Sequence, residues 1–280
     1  MPNERTIADL IEDRFGSRVE GCDEVAGADI FARILARRTH RRYADRPVPD
    51  PLLETMLACA FSASAKSDLQ QSGVILVRDP QKRAAIAGWI PDMPWIAQAP
   101  VFMVWIGDSR RIRRVCALRD KPFGNDHLDS FLNATVDCAL AMQTFILAAE
   151  AAGLGCCAIS AVRNHAQALG ALLDLPDWVF PVAGLCLGWP AREGFISARL
   201  PLSLTVHTDR YDDSDLAEEI DGYDRRREAR HPTPPDQQRE RERYGIAPAY
   251  GWSEDKARQV SRTERDNFGP FVRDRKIGLD

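Results

Sequence analysis

Arg37-Arg38-Thr39-His40-Arg41-Arg42-Tyr43 sets four arginines and a hydroxyl within seven residues. Guanidinium forks match phosphate oxygens, and a threonine hydroxyl adds a neutral donor. The plainer reading is a solvated helix end whose cations complement the helix dipole. Arg199, in Ile-Ser-Ala-Arg-Leu-Pro, is a second basic residue beside an apolar run, and Ser62, Ser64, Lys66, Ser67, Gln70 and Ser72 make a loop rich in hydrogen-bond donors. Other chemistries find no such grouping. There is no CxxC or Cys/His ligand spacing for zinc. No GxGxxG follows a strand and no GxxxxGK[ST] is present, so nothing supports a Rossmann site or a P-loop. No Ser/His/Asp or paired-carboxylate constellation is visible, and His40 and His165 read as loop or helix-start histidines.

The stretch that must position these groups is Phe131–Asn164. Phe131, Leu132, Ala134, Val136, Ala139, Leu140, Met142, Phe145, Ile146, Ala149 and Ala152 recur at three- and four-residue steps, with Ala141, Leu147, Ala148 and Ala151 on the remaining faces. Such a helix is buried on nearly every side and runs roughly 33 Å. Asn133, Asp137, Gln143 and Glu150 interrupt it, against a membrane span. Gly153-Leu-Gly155 stops it, and Cys156–Ile159 reads as a buried strand. Ser160, Ala161 and Arg163-Asn164 follow, so the core presents a site at the strand's end.

Around that stretch the patterns predict helices over Ile7–Phe15, Asp29–Arg38, Leu52–Phe61, Asp79–Trp89, Ser109–Leu118 and Arg163–Leu173. Strands are expected at Val74–Val77, Pro100–Ile106, Phe180–Leu187 and Leu202–His207. The irregular alternation indicates α+β rather than a doubly wound sheet. Residues 1–27 read as a leader, 28–210 as the core, and 211–280 as a charged helical extension unable to build its own core, which wraps the core or a partner subunit.

Composition agrees with a soluble globular chain: 280 residues, 45% hydrophobic, 28% charged, net charge −4. That charge implies no bulk attraction to nucleic acid or membrane. The last stretch is net basic, but acids are interleaved with its arginines, which disfavours nucleic-acid binding. Seven cysteines without framework spacing, and no apolar signal region at the N-terminus, point to a reduced cytoplasmic protein.

In combination these stretches resemble the FMN-dependent nitroreductase superfamily. RRTHRRY is similar to its N-terminal flavin-phosphate motif, Ser64–Gln70 to its Ser-rich loop before Gln, and 131–164 to its central helix, Gly-Leu-Gly and following strand. LCLGWP (Leu185–Pro190) and ARLP (Ala198–Pro201) are similar to its Leu-Gly-Trp/Tyr-Pro and Lys-x-Arg-Leu-Pro segments. The order is nearest to the oxygen-insensitive NADPH nitroreductase and flavin reductase branch. Two positions depart from the pattern: Ser197 replaces a basic residue, for which Arg42 or Lys66 would compensate, and Ser160-Ala161 replaces Gly-Gly.

The resemblance implies a three-layer α+β fold, with a mostly antiparallel sheet flanked by helices and the long helix at a homodimer interface. It implies that Arg37, Arg38, Thr39 and Arg41 hold the FMN phosphate, ribityl chain and N1/C2=O edge, with Arg41 near N1 and Arg199 a second phosphate ligand. Ser64, Ser67 and Gln70 belong to the same cofactor set, the serines reaching the FMN of the other subunit. The Ser160 and Ala161 backbone would lie near N5, where the flavin itself carries hydride. Arg163 would sit at the nicotinamide-nucleotide or substrate opening, and Arg225, Arg226 or Arg227 would bind the NADPH 2′-phosphate. Met93, Pro94 and Trp95 could lid the acceptor or pack the core. The implied activity is ping-pong transfer from NAD(P)H, NADPH preferred, to nitroaromatic, quinone or related small-molecule acceptors. A free-flavin reductase, a reductase of one native substrate and a non-catalytic flavin-binding module are the alternatives. A charge at Ala141 or Ala148 is expected to disrupt dimerisation and FMN retention together.

Overall fold

A computed structural model describes residues 5–19, 21–22 and 26–280. Among them the chain forms, in order, α1 (Ile7–Phe15), α2 (Ala28–Ala36), α3 (Asp50–Phe61), β1 (Ser72–Leu76), α4 (Pro80–Trp89), α5 (Trp95–Gln98), β2 (Val101–Asp108), α6 (Arg110–Leu118), α7 (Leu128–Ala151), β3 (Gly155–Ile159), α8 (Ala166–Leu172), β4 (Val179–Gly188), α9 (Leu216–Arg230), α10 (Arg241–Tyr244), α11 (Trp252–Val260) and α12 (Phe268–Asp274). Most predicted elements lie within a few residues of these bounds. The strand expected at Leu202–His207 does not form. With no neighbouring strand to pair, the run after Pro201 closes on itself, and the amides of Thr205 and Val206 both donate to the Leu202 carbonyl, at 3.0 and 2.8 Å. The helix expected from Arg163 begins as a 3₁₀ turn over Ser160–His165 and becomes α-helical only at Ala166.

The described residues fall into two compact units. The larger, Arg38–Gly194 with Arg265–Asp280, holds the sheet. Its order is β1-β2-β4-β3 and every pairing is antiparallel. Both faces are covered, which explains the unbroken apolar run of β2. Met103 and Trp105 point into a core with Leu53 and Met56 of α3 and Phe145 and Ala149 of α7. Phe102 and Val104 point the other way, onto Ile86 of α4, Ile96 of α5 and Leu169 of α8. Trp95 and Met93 pack against this second core, as the packing alternative had it. α12 adds Phe271 and Val272 against Phe180 of β4.

α7 is not buried on all sides. Leu128, Leu132, Val136 and Leu140 repeat every fourth residue and are 51, 53, 44 and 43% exposed. Ala141, in contrast, is 1% exposed and belongs to the core of its own unit. The outward face therefore runs through Val136 and Leu140, and a charge at Ala141 would attack the core instead.

The second unit joins the described residues through Arg37 to Phe195–Glu264. The extension divides: its last helix, α12, belongs to the larger unit, and α9, α10 and α11 to this one. Tyr223 and Tyr250 are 2 and 4% exposed, and Arg258 is buried with them. Arg258 donates to the carbonyls of Arg239 and Gly245 at 2.9 and 2.8 Å and pairs with Glu254 at 2.6 Å. A buried arginine made tolerable by carbonyl acceptors and a carboxylate replaces the missing aliphatics.

Candidate active site

The basic segment owes its shape to the open edge of β3, the last strand of the sheet. Thr39 bridges Cys156 in parallel, and the His40 amide donates to the Cys156 carbonyl at 3.0 Å. Tyr43 bridges Pro190, and the Ala44 amide donates to the Trp189 carbonyl at 2.8 Å. Gly155 makes the approach possible, since a Cβ there would meet the His40 ring at 2.6 Å. An extended segment alternates its side chains, so Thr39, Arg41 and Tyr43 share one face. Tyr43 is half-buried on that face, and burial pushes its phenol well above the ordinary range. Arg41 remains exposed with its guanidinium 5.5 Å from the Trp95 ring centroid. Burial raises the Cys157 thiol's pKa, and the charge of the neighbouring Arg41 guanidinium partly offsets it. Arg38 faces elsewhere, paired with Glu193 and donating to the Gly194 carbonyl at 3.1 Å.

The serine loop is fixed from beneath. Asp137 of α7 is 2% exposed, and its two carboxylate oxygens accept the amides of Lys66 at 2.8 Å and Gln71 at 3.0 Å. Between these anchors Ser67, Asp68 and Gln70 hold positive φ angles of 48, 56 and 51°. Three non-glycine residues in the left-handed region within four positions persist only where the surroundings impose them, and such strain gathers at functional segments. Lys66 donates to the Ser67 hydroxyl at 3.0 Å. Ser64 and Gln70 line a surface pocket of about 470 Å³ with Phe61, Arg111 and Asp137. Sequence reading took Asp137 as an interruption of a helix. Its phase with Ala134, Ala141 and Phe145 was the available signal, because a carboxylate on the buried stripe requires partners.

At the end of β3, Ser160 is exposed and Ala161 buried, and the Arg265 guanidinium reaches the Ser160 hydroxyl at 3.4 Å. Arg163 is engaged with its own unit. It is half-buried, donates to the Val182 carbonyl of β4 and lies 5.8 Å from the Phe268 ring centroid. Burial lowers its pKa first, and the neighbouring Arg265 adds to that. The helix turns tightly after Ser160, which folds the side chain back onto the sheet.

The other predicted residues lie in the second unit. Arg37 sits at the C-cap of α2 and Arg199 is exposed on the chain after Ala198. Arg225 is exposed on α9. Arg226 is engaged in its own unit: it donates to the Arg199 carbonyl at 3.3 Å, lies 5.4 Å from the Tyr223 ring centroid, and packs where Gly16 leaves no Cβ.

Among the described residues no carboxylate pairs with Arg41, Arg42 or Arg199, and no group of His, Cys, Asp and Glu could hold a metal ion. Within the larger unit, exposed Arg41 and Arg42, without a carboxylate partner, and exposed Thr39, Ser64 and Ser67 are donors of the types that suit a phosphorylated, polyhydroxylated group. FMN fits these residues. Residues 34–189 match the Nitroreductase family and residues 197–280 match the Nitroreductase family, C-terminal domain. The chain belongs to the nitroreductase family. Within it, the chain is 35% identical over 201 residues to the FMN reductase [NAD(P)H] of Bacillus subtilis (strain 168), which spans 70% of this chain and 80% of that protein. It is 36% identical over 178 residues to the oxygen-insensitive NADPH nitroreductase of Salmonella typhimurium, covering 64% of this chain and 72% of that protein. The solved structure of B. megaterium NfrA2 superposes with a TM-score of 0.81 at 28% identity, over 90% of this chain and 99% of that one. The nitroreductase fold is thus shared along nearly the whole length, extension included.

Proposed function

We propose that this nitroreductase-family chain is an FMN-dependent oxidoreductase that uses NAD(P)H, with NADPH preferred, to reduce nitroaromatic, quinone or related small-molecule acceptors. The observation that carries the reading is Arg41: an exposed cation without a carboxylate partner, on a segment pinned by main-chain bridges to β3. Bound FMN supplies the hydride chemistry, while the protein supplies binding, orientation and charge. Arg37, Thr39 and Arg199 are read as the ligands of the phosphate and ribityl chain, Arg38 being taken up by Glu193 and the Gly194 carbonyl, and Arg41 as the positive charge at the pyrimidine edge. Ser160 and Ala161 bring main chain to the reacting side. Nucleotide and acceptor use one face in turn, a ping-pong order that calls for no acid–base pair among the side chains. Of the arginines read as nucleotide ligands, Arg225 keeps that role, since it alone of the pair with Arg226 is exposed.

The same reading makes the molecule a homodimer in the cytoplasm. The apolar row Leu128, Leu132, Val136, Leu140 is what a second copy would cover, and Ser64 and Ser67 would then reach the other subunit's cofactor. Val136→Glu should yield monomers by sedimentation or light scattering, and a variant that stays dimeric removes this part of the proposal.

The absorption spectrum of the purified protein tests the whole. A yellow protein, or one that takes up FMN, should bleach near its visible maximum on anaerobic mixing with NADPH. A colourless chain that refuses FMN sinks the proposal, and a bound flavin that does not bleach favours a non-catalytic module. The similarity to an FMN reductase sustains a second reading, a free-flavin reductase. Steady-state rates against nitroaromatics, quinones and free FMN separate the two.

A further inference from the structure

The helix that precedes the family match has a task. α1 opens with a capping box between Thr6 and Asp9 and ends at Gly16 in the left-handed conformation. In its last turn stands Arg14, 5% exposed, with its head turned toward the end of α2. The Nε donates to the Leu35 carbonyl at 2.9 Å and an Nη to the Arg37 carbonyl at 2.7 Å. These carbonyls lie where a helix runs out of its own donors and where its dipole favours a cation. The Arg14 carbonyl, in the last turn of α1, accepts the Arg199 amide at 2.6 Å. One buried residue therefore grips the main chain at both arginines read as phosphate ligands. Arg226 completes the hold by donating to the Arg199 carbonyl at 3.3 Å.

We propose that Arg14 is a positioning residue for the flavin phosphate, fixing the main chain at Arg37 and Arg199 so that both guanidiniums are set before the ligand arrives. The proposal rests on the reading of Arg37 and Arg199 as phosphate ligands. The leader is then part of the cofactor-binding apparatus: binding to a preset pair loses less conformational freedom than ordering two loose side chains.

The test compares FMN with riboflavin, which has the same ring and no phosphate, by fluorescence titration of the full chain. Arg14→Met should weaken FMN on the order of tenfold, the scale of one hydrogen bond to a charged group, and change riboflavin by less than about twofold. Arg14→Lys keeps the charge but not the fork and should fall between. A merely structural role would lower both affinities together, and that result overturns the proposal, as does an unchanged FMN affinity. If Arg37→Ala and Arg199→Ala also leave the FMN-to-riboflavin ratio unchanged, the phosphate reading itself has failed. If those two lower the ratio and the Arg14 variants do not, the proposal alone has failed. Should both Arg14 variants refuse to fold, hydrogen exchange on the unmodified chain decides: FMN must slow the Arg199 amide more than riboflavin does, and equal protection overturns the proposal.

Discussion

Two segments of the larger unit present exposed polar groups, and they are held in opposite ways. The ribbon from Arg38 to Tyr43 is tied by main-chain bridges to β3 and to the Trp189-Pro190 turn. The serine loop is tied by side chains, the Asp137 carboxylate under the amides of Lys66 and Gln71 and the Arg111 guanidinium on the Gln70 carbonyl at 2.6 Å. Backbone pairing tolerates any side chain that fits, so substitutions on the ribbon act on its chemistry and leave its course unchanged. A loop hung on side chains depends on what those side chains are, and the buried carboxylate among them holds two amides at once, so substitutions beneath the loop act on architecture first.

The largest effect should therefore come from Asp137→Ala, which orphans two amides in a buried setting. A loss of about 3 kcal/mol of unfolding free energy is expected, since each bond to a charged acceptor contributes roughly 1.5 kcal/mol or more. Asp137→Asn, retaining one acceptor, should lose about half as much. Denaturant titration measures both, and a near-neutral Asp137→Ala would dissolve the contrast. Next comes Arg163→Met. Leaving the Val182 carbonyl without its donor should cost about 2 kcal/mol of stability with little change in the KM for NADPH. A raised KM at unchanged stability would return Arg163 to the nucleotide opening. Arg41→Ala is the converse case. Its stability change should stay within about 0.5 kcal/mol, as at exposed sites generally, while FMN affinity falls about tenfold. Unfolding and flavin titration on one preparation separate these outcomes.

How much of this was legible in the sequence follows the same division. The helices and the sheet strands were legible because each carries its own period, and β2 announced itself by being apolar on both faces. The cluster of arginines around a threonine was legible as a donor group, but the edge pairing that shapes the ribbon was not, since nothing in that run marks the strand it would meet. The Asp137 tether was not, because its partners are main-chain amides 71 and 66 residues away, and amides leave no mark in a sequence. The carbonyl contacts of Arg163 and Arg226 were not legible either, because a guanidinium in a sequence looks the same whether it faces solvent or a carbonyl. An outward face of α7 was expected but sought at Ala141, which is buried, and not at Val136 and Leu140, because leucine and valine on an open face read like those of a core. Leu202–His207 shows the limit for strands, since an apolar run needs a neighbouring strand and the sequence does not say where one ends up.

The device under the serine loop recurs in solvent, at α1, and that pair gives the smallest and most discriminating prediction. Asp9, like Asp137, accepts a main-chain amide, that of Thr6 at 3.0 Å, but it lies at the surface and shares its charge with Arg18 at 2.8 Å. The hydrogen bond from Arg18, then those from Thr6, lower its pKa from the ordinary 3.8 to about 2. A carboxyl whose folded pKa is depressed adds stability that is full above the unfolded value and is lost as the pH falls through the folded one. Asp9→Asn should thus be slightly less stable than the unmodified chain at neutral pH. The gap should narrow below about pH 4 and close near pH 2. It should also shrink in high salt, because exposed pairs are screened. Melting temperatures of the two proteins across that range measure the gap. A gap as large as that of Asp137→Asn, or one that persists at pH 2, would mean that burial is not what separates the two carboxylates. The contrast between a tethered loop and a bridged ribbon would then have to rest on bond geometry alone.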